Sequence, residues 1–349
     1  MVGKKKKIVV GEDGDIVGDL NRLVGGGVCL LGQGENIKVK EFVSSGATLL
    51  DIVLANKFPG GFPTSSLIEI YGPYSSGKSL TAYSILANAQ KQGWIACLAD
   101  SERSVELNFL SRIGISLQEL IYYPPQSLES ALKFIEGIIE MSLATKKKAV
   151  VVLDSVAASV PQAEIAEPNY DPQASVALKA RILSKNLPVL ISKLEKASVI
   201  VIFTNQERTK IGAKFFEDNT VRPGGRAIEF YSNILLRLSK GAVIKDETTK
   251  TAIGLICRAK VEKSRISPPF RIIEYPLYFS HGIDDGKSIY NVLLEWGDIK
   301  KMQGFRGMDY KGEEIKFRES EWEGKMENKE FNDHVKALVA KRLVITYDK

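Results

Sequence analysis

The chain has 349 residues, of which 44% are hydrophobic and 26% are charged, as is usual for a globular protein. It contains no run of about 18 apolar residues, so we expect no membrane-spanning helix and no membrane partner. The net charge of +6 is small, so it permits a polyanionic partner without requiring one.

Cysteine and histidine usage excludes several other classes of protein. Cys29, Cys97 and Cys257 are far apart and odd in number, which fits neither a disulfide framework nor a metal site. His281 and His334 are the two histidines, so a zinc site or a Ser-His-Asp triad has little to build on. The lysine-rich start is followed by acidic residues and glycine rather than by an apolar segment, so we expect a cytoplasmic protein.

Residues 1–42 are predicted to form a short N-terminal segment. Asp15 can cap a helix whose apolar side chains recur at helical spacing between residues 16 and 23. A triple glycine then ends the helix, and residues 28–31 can form a short strand. The segment is too small to fold alone, so we expect it to pack on another surface.

Residues 43–283 show the alternation of an α/β protein, with short apolar runs separated by helical stretches. Strands are predicted at residues 67–71, 95–99, 149–153, 199–203, 234–238, 252–257 and 272–278, and helices at residues 78–92, 128–143 and 177–196. We expect a mostly parallel twisted sheet with an antiparallel extension at its end. Residues 284–349 are polar and helix-forming, which predicts a small α+β C-terminal domain.

A phosphate-binding loop is predicted where the chain reads Gly-x4-Gly-Lys-Ser between a strand and a helix. The glycines let backbone N–H groups surround phosphates, and the helix N-terminus adds positive charge. Lys78 is expected to reach the terminal phosphates of ATP, and the Ser79 hydroxyl to ligate Mg²⁺. The predicted nucleotide-binding residues of this loop are Gly72, Pro73, Tyr74, Ser75, Ser76, Gly77, Lys78 and Ser79.

Polar residues follow three predicted strands, at the edge where open α/β sheets bind ligands. Asp154 can support Mg²⁺ through a water, Glu102 can polarise an attacking water, and Gln206 can sense the γ-phosphate. Asp and Asn also cap loops after strands, so each position alone is ambiguous. Three such positions beside one phosphate loop favour ATP hydrolysis.

These residues resemble the RecA family of recombinases over roughly residues 32–283. The matching stretches are residues 68–73 with 75–78, 153–158 with 160–161 and 163–165, 205–206 with 208 and 210–212, 224–225 with 227 and 230–231, and 269–270 with 282–283. Their order and spacing are most similar to the bacterial branch. The resemblance implies a RecA-like P-loop ATPase core, with residues 1–42 as an oligomerisation segment.

The resemblance implies further roles at the nucleotide. Glu102 matches the catalytic glutamate, and Glu106 and Phe109 match residues that contact adenine. Lys263 and Arg265 match paired cations that reach the ATP of the neighbouring subunit. From the residues alone, Phe109 is a core aromatic and the two cations form a solvated strand edge.

The resemblance also implies two DNA-binding loops, at residues 167–172 and 207–226. The second holds five basic residues and three acids around a pair of phenylalanines, a composition suited to backbone neutralisation and stacking. Composition alone is equally consistent with a disordered loop. Phe230 matches a residue that links the ATP site to this loop, the alternative being a buried aromatic. The implied DNA-binding residues are Arg181, Arg208, Lys210, Lys214, Phe215, Arg222, Gly224, Gly225 and Arg226.

The sequence departs from the family pattern at several positions. Tyr74 stands where bacterial members usually have glutamate, and Arg103 follows the catalytic glutamate. Pro188 interrupts the helix after the first DNA loop, where a basic residue is expected. The N-terminal segment is short, and the chain lacks a long acidic tail. These departures suggest a divergent member, for which a phage origin and action in the host cytoplasm are one explanation.

The function implied by the resemblance is that of an ATP-dependent recombinase. Such a protein assembles as a helical filament on single-stranded DNA, pairs it with double-stranded DNA and exchanges strands, with DNA-stimulated ATP hydrolysis. Two alternatives stay open. One is a helicase or regulatory remodelling ATPase on the same core, and the other is a DNA-coating protein that binds nucleotide without useful turnover.

Overall fold

The computed structural model describes residues 16–25, 41–167, 172–209 and 220–346, which belong to two compact units, Met1–Lys40 and Glu41–Lys349. In the first unit, helix α1 (Ile16–Val24) occupies the predicted helical stretch. Arg22 forms an ion pair of 3.3 Å with Asp19 on its polar side. Asp15 and the strand predicted at residues 28–31 lie outside the described residues.

The second unit carries the remaining elements. In chain order they are β1 (Phe42–Val43), α2 (Thr48–Ala55), β2 (Phe62–Pro63), β3 (Ser66–Gly72), α3 (Lys78–Lys91), β4 (Ile95–Asp100), α4 (Leu107–Ile113), β5 (Leu120–Tyr123), α5 (Leu128–Thr145), β6 (Ala149–Asp154), α6 (Gln162–Ala166), α7 (Pro172–Leu194), β7 (Val199–Gln206), β8 (Arg208–Thr209), β9 (Thr220–Val221), α8 (Arg226–Tyr231), β10 (Ile234–Lys245), β11 (Ala252–Ser264), β12 (Ile272–Tyr278), β13 (Gly282–Ile283), α9 (Asp285–Glu295), β14 (Ile299–Lys301), β15 (Arg306–Tyr310), β16 (Glu313–Phe317), a 3-10 turn (Glu319–Glu321), α10 (Trp322–Glu327) and α11 (Lys329–Leu343).

The described residues place nine strands in one sheet, in the order β13-β12-β11-β10-β3-β7-β6-β4-β5. The run from β10 to β5 is parallel, and β11, β12 and β13 extend it in antiparallel fashion. This arrangement confirms the predicted α/β class with a mostly parallel sheet and an antiparallel extension. Parallel sheets need cover on both faces, which explains why the central strands are almost continuously apolar.

Alternate side chains of the central strands enter two separate hydrophobic cores, because successive residues of a strand face opposite sides. Ile68 and Ile70 of β3 join one buried cluster, together with apolar residues of α2 and α3. Leu67 of the same strand joins the other cluster, together with residues of α5 and α7. The sheet is thus fixed from both sides, and its carboxyl edge offers a rigid support for polar side chains.

The C-terminal residues form a three-stranded antiparallel sheet, β14-β15-β16, surrounded by α9, α10 and α11. Trp322 and Phe331 pack there and belong to the same buried cluster as Ile68. Asp285, at the start of α9, accepts hydrogen bonds from the amide and hydroxyl of Thr48 at 2.6 Å and 2.7 Å. The boundary near residue 284 stays a prediction, since residues 41–349 form one compact unit.

Three predicted elements differ clearly in length from those observed. The helix predicted at residues 177–196 begins at Pro172 and continues through Pro188. Strand β10 continues past its predicted end at residue 238 to Lys245, and β11 continues past residue 257 to Ser264, where it pairs with the start of β10. No helix among the described residues is long and apolar enough to cross a membrane.

Candidate nucleotide site and adjoining loops

The phosphate-loop motif connects the end of β3 to the start of α3. Gly77 has a φ of +89°, and a Cβ there would lie 2.5 Å from the Leu277 side chain. A Cβ at Gly72 would lie 2.0 Å from the carbonyl oxygen of Leu238. Glycine is required at both positions, because β10, β12 and the loop leave no room for a side chain.

Lys78 and Ser76 give this loop the chemistry of a phosphate site. The Lys78 ammonium donates a 2.8 Å hydrogen bond to the Pro73 carbonyl, across the loop. Burial lowers the pKa of Lys78, and the carboxylates of Asp154 and Glu102 oppose that shift. The Ser76 hydroxyl is buried without a hydrogen-bond partner among the described residues. A phosphate oxygen would satisfy such a hydroxyl, so the loop fits the phosphates of a nucleotide.

Asp154, at the end of β6, is held rigidly beside the loop. Its carboxylate accepts hydrogen bonds from Tyr83 at 2.7 Å and from Thr204 at 2.5 Å. Burial and the adjacent Asp154 carboxylate raise the pKa of Tyr83, so its phenol remains a donor. The carboxylate is 3% exposed and oriented from both sides, as suits a group that holds the water shell of Mg²⁺. Tyr83 and Thr204 were not singled out by the sequence, because their contacts depend on the packing of α3 and β7.

Glu102 is positioned by two neighbouring strand ends. Its carboxylate accepts a 2.7 Å hydrogen bond from the hydroxyl of Ser155, which follows Asp154. The Asp100 carboxylate accepts hydrogen bonds from the amides of Glu102 at 3.1 Å and Arg103 at 2.8 Å. Arg103 adopts a left-handed conformation with a φ of +53°. This turn holds Glu102 exposed at the carboxyl edge of the sheet, where a nucleotide would lie.

Gln206 is the third predicted strand-end residue, and it pairs in register with Gly72. The backbone amide of Gln206 donates a 3.0 Å hydrogen bond to the side-chain oxygen of Asn205. The parallel register therefore brings Gln206 directly beside the first glycine of the phosphate loop. The structure assembles the phosphate loop, Asp154, Glu102 and Gln206 at one edge of the sheet.

Lys263 and Arg265 lie away from this assembly. Lys263 is level with Leu235, which is in turn level with Glu69, three residues before Gly72. The backbone of Lys263 therefore lies about 10 Å from Gly72 along the strand direction. It also lies two strands away from β3, which is about 10 Å to the side. Its ammonium donates to the carbonyls of Glu229 at 2.7 Å and Phe230 at 3.0 Å, and Arg265 donates to the latter at 3.3 Å. Burial and the neighbouring Arg265 lower the pKa of Lys263.

The residues expected to contact adenine, and the residue at the tip of the phosphate loop, differ in their exposure to solvent. Tyr74 is 82% exposed at the tip of the phosphate loop. Glu106 begins α4 and forms an exposed ion pair of 3.6 Å with Arg112. Phe109 is half-buried and packs against the hydrophobic core, as expected of a core aromatic. Contact of Glu106 and Phe109 with adenine stays a prediction.

The residues expected to bind DNA fall into three groups. Arg181 on α7, Arg208 and Arg226 are exposed. Lys210, Lys214 and Phe215 lie outside the described residues, as does most of the first loop. Arg222 is only 18% exposed at its side chain and forms a 2.6 Å ion pair with Glu69. DNA contact by these residues stays a prediction.

Gly224 and Gly225 fit closely against α7. A Cβ at Gly224 would lie 2.7 Å from Leu183, and one at Gly225 would lie 3.1 Å from the Cβ of Ala180. Both have positive φ, so the return of the loop to α8 needs glycine for conformation as well as space. Phe230 on α8 is 67% exposed, so it is not a buried core aromatic.

Comparison with known proteins agrees with this geometry. The RecA N-terminal domain family matches residues 16–284. Protein RecA of Lactococcus lactis subsp. cremoris (strain MG1363) is 37% identical over 278 residues, which cover 79% of this chain and 69% of that protein. Protein RecA of Nostoc sp. (strain PCC 7120) is 32% identical over 343 residues, which cover 98% of this chain and 90% of that protein. The chain belongs to the RecA family of recombinases, as the sequence motifs indicated.

Proposed function

We propose that this protein is a DNA-dependent ATPase that forms filaments on single-stranded DNA and promotes homologous pairing and strand exchange with double-stranded DNA. The observation that carries the proposal is the assembly of Lys78, Asp154, Glu102 and Gln206 at one sheet edge, beside the strand that leads into the second predicted DNA loop. ATP hydrolysis and DNA binding are thereby served by adjacent parts of one rigid sheet.

The proposed ATPase chemistry assigns one task to each side chain. Lys78 would donate to the terminal phosphates, and the unpartnered Ser76 hydroxyl would bond a phosphate oxygen. Mg²⁺ would be held by Ser79 and, through water, by Asp154, and when bound it neutralises charge between the phosphates. Glu102, oriented by Ser155, would take a proton from the attacking water.

Lys263 and Arg265 are proposed to act on the ATP of a neighbouring subunit. Their distance from the phosphate loop of their own chain, about 10 Å along and 10 Å across the sheet, argues against a role in the same subunit. At the γ-phosphate of a neighbour they would stabilise the charge that develops during transfer, for which an arginine finger supplies about 10³–10⁵ in rate. Polymerisation would then be needed for full activity.

Electron microscopy with single-stranded DNA and a non-hydrolysable ATP analogue tests this function. We expect helical filaments, and no filaments for Lys78→Ala. Closed rings would instead support the helicase or remodelling ATPase. A coating protein would form filaments but hydrolyse ATP equally slowly with and without DNA, so a hydrolysis assay on the same samples separates that alternative.

A further inference from the structure

Both ends of the second predicted DNA loop are attached to the central sheet by ion pairs. At the departing end, the Glu207 carboxylate contacts the Arg237 guanidinium through two atom pairs, at 2.9 Å and 3.1 Å. The Glu207 amide also donates a 3.0 Å hydrogen bond to the carbonyl of Gly72. The predicted DNA loop therefore departs from the sheet at a residue that is hydrogen-bonded to the first glycine of the phosphate loop.

At the returning end, Arg222 is held by three groups. Its guanidinium contacts Glu69 at 2.6 Å and Glu229 of α8 at 3.1 Å, and it lies 4.0 Å from the centre of the Tyr71 ring. A planar guanidinium suits two carboxylates and a ring face together, which an ammonium does not. The arginine is thus already engaged by groups of its own chain.

Glu69 explains why this engagement is strong. Its side chain is 1% exposed in β3, three residues before Gly72. Burial raises the pKa of Glu69, and Arg222 opposes that shift. Asn205 donates 2.9 Å hydrogen bonds both to Glu69 and to the Pro223 carbonyl, so a second link joins the same points. Removing one partner of a buried ion pair leaves the other uncompensated, which favours keeping Arg222 in place.

We propose that Arg222 is a positioning residue, which binds buried Glu69 and so attaches the return of the DNA loop to the phosphate-binding strand, instead of contacting DNA. The proposal rests on the proposed function. Tyr71, Glu69 and Gly72 lie on one strand, so a nucleotide that shifts the end of β3 acts on both ends of the loop. The Glu69–Arg222 pair then couples the nucleotide state to the affinity for DNA.

The test compares Arg222→Gln, Glu69→Gln and the double variant. Affinity for a fluorescent oligo(dT) is measured with a non-hydrolysable ATP analogue and with ADP, over a range of salt concentrations. We expect each variant to reduce the ratio of the two Kd values by about tenfold, within the usual range of allosteric coupling. The double variant should be no worse than either single variant, because both remove the same interaction. The slope of affinity against salt should stay unchanged.

Two further variants serve as controls. Arg226→Gln removes an exposed arginine of the same loop, and it should lower the salt slope by about 0.7 in both nucleotide states. Arg222→Lys keeps the charge but loses the planar fork. A residue that contacts DNA phosphate would tolerate this change, whereas a positioning residue would not. Thermal unfolding of each variant confirms that it is folded.

The outcomes separate the inference from the function. If the wild-type protein binds DNA equally with both nucleotides, the pair has no coupling to carry and the inference fails, whereas absence of filaments and of DNA-stimulated hydrolysis would overturn the proposed function itself. If the wild type discriminates but Glu69→Gln does so equally well, the inference alone is overturned. A reduced salt slope in Arg222→Gln, with wild-type behaviour in Arg222→Lys, would also overturn it and return Arg222 to the DNA surface. If Glu69→Gln does not fold, the Arg222 variants still decide between these outcomes.

Discussion

The hydroxyl of Ser155 donates a 2.7 Å hydrogen bond to the carboxylate of Glu102, and so connects the ends of two adjacent parallel strands. Ser155 follows Asp154, the proposed Mg²⁺-supporting carboxylate, whose carbonyl accepts a hydrogen bond from Ser101 at 2.8 Å. The two acidic residues of the site are therefore fixed relative to each other by one serine side chain and by backbone hydrogen bonds to the Asp154 carbonyl.

Ser155→Ala should lower the rate of DNA-stimulated ATP hydrolysis without changing the affinity for nucleotide. The hydroxyl orients Glu102, so we expect about a tenfold loss in kcat, equivalent to about 1.4 kcal/mol. Glu102→Gln should lose about 10²–10⁴, as expected for a general base. Ser101→Ala is the matched control, because its hydroxyl bonds that of Ser159 at 2.9 Å and not Glu102. A Ser155→Ala variant with wild-type kcat would remove this residue from the site.

Lys78→Ala and Lys263→Gln should each be inactive alone but partly active when mixed. If one subunit supplies the phosphate loop and the next supplies the cations, about a quarter of the interfaces in a random equal mixture have both intact. ATP hydrolysis by the mixture, in the presence of single-stranded DNA, should recover toward that fraction. If ATP hydrolysis does not recover in the mixture, the two residues do not complete one site from neighbouring subunits.

Gly224→Ala should destabilise the protein more than Gly114→Ala. The two glycines have almost the same φ, +93° and +96°, but a Cβ meets Leu183 at 2.7 Å only at Gly224 and meets nothing within 4 Å at Gly114. The shared backbone strain costs about 1–2 kcal/mol. Overpacking at Gly224 adds about 1–3 kcal/mol to the loss of unfolding free energy. Urea unfolding measures both, and equal losses would contradict the packing argument.

Asp51 should give the unfolding free energy a distinctive dependence on pH. Burial raises its pKa from 3.8 to about 6, and hydrogen bonds from Ser44 and Ser45 only partly offset this shift. Since the folded pKa is the higher one, the proton stabilises the fold. That contribution is fully present below about pH 4 and is lost as pH rises through about 6, a loss of about 3 kcal/mol.

Asp51→Asn should therefore gain stability relative to the wild type as pH rises from 4 to 7, measured by urea unfolding. Asp246→Asn is the opposite control. Hydrogen bonds from Thr249 and Thr248 lower the pKa of exposed Asp246 below 3.8, so its variant should lose stability relative to wild type as pH rises toward about 4, and should change little between pH 4 and 7. A difference between Asp51→Asn and wild type that does not change with pH would contradict the buried, proton-binding carboxyl.

The strand-end residues of the candidate site were predictable because they follow from local pattern and parallel topology. Asp154, Glu102 and Gln206 each follow an apolar run, Lys78 lies in a recognisable glycine-bounded motif after another such run, and parallel strands bring these ends to one edge. Arg222 could not be interpreted in the same way, since its partner Glu69 is 153 positions away and buried on another element.

The exposure of some side chains and the length of some strands also could not be predicted from the local sequence pattern. For Phe230 the alternative to a role in linking the ATP site to the loop was a buried aromatic, and its place on α8 leaves it 67% exposed. Strands β10 and β11 extend past their predicted ends, at residues 238 and 257, because the two strands pair with each other along most of their length. Such features depend on which elements meet, and the sequence of one element does not contain that information.

The place of β3 in the strand order has a consequence for how this protein can diverge. Its two neighbours are β7, which leads into the second predicted DNA loop, and β10, which follows α8. Arg208 and Val221, at the two ends of that loop, pair with each other in a separate two-stranded sheet, and the neighbouring Glu207 and Arg222 attach these ends to β10 and β3 by ion pairs. An altered strand order would separate those fixed points from the phosphate loop. If the loop binds DNA as proposed, the links of its ends to β3 and β10 also tie any change of DNA preference to the geometry of the phosphate loop.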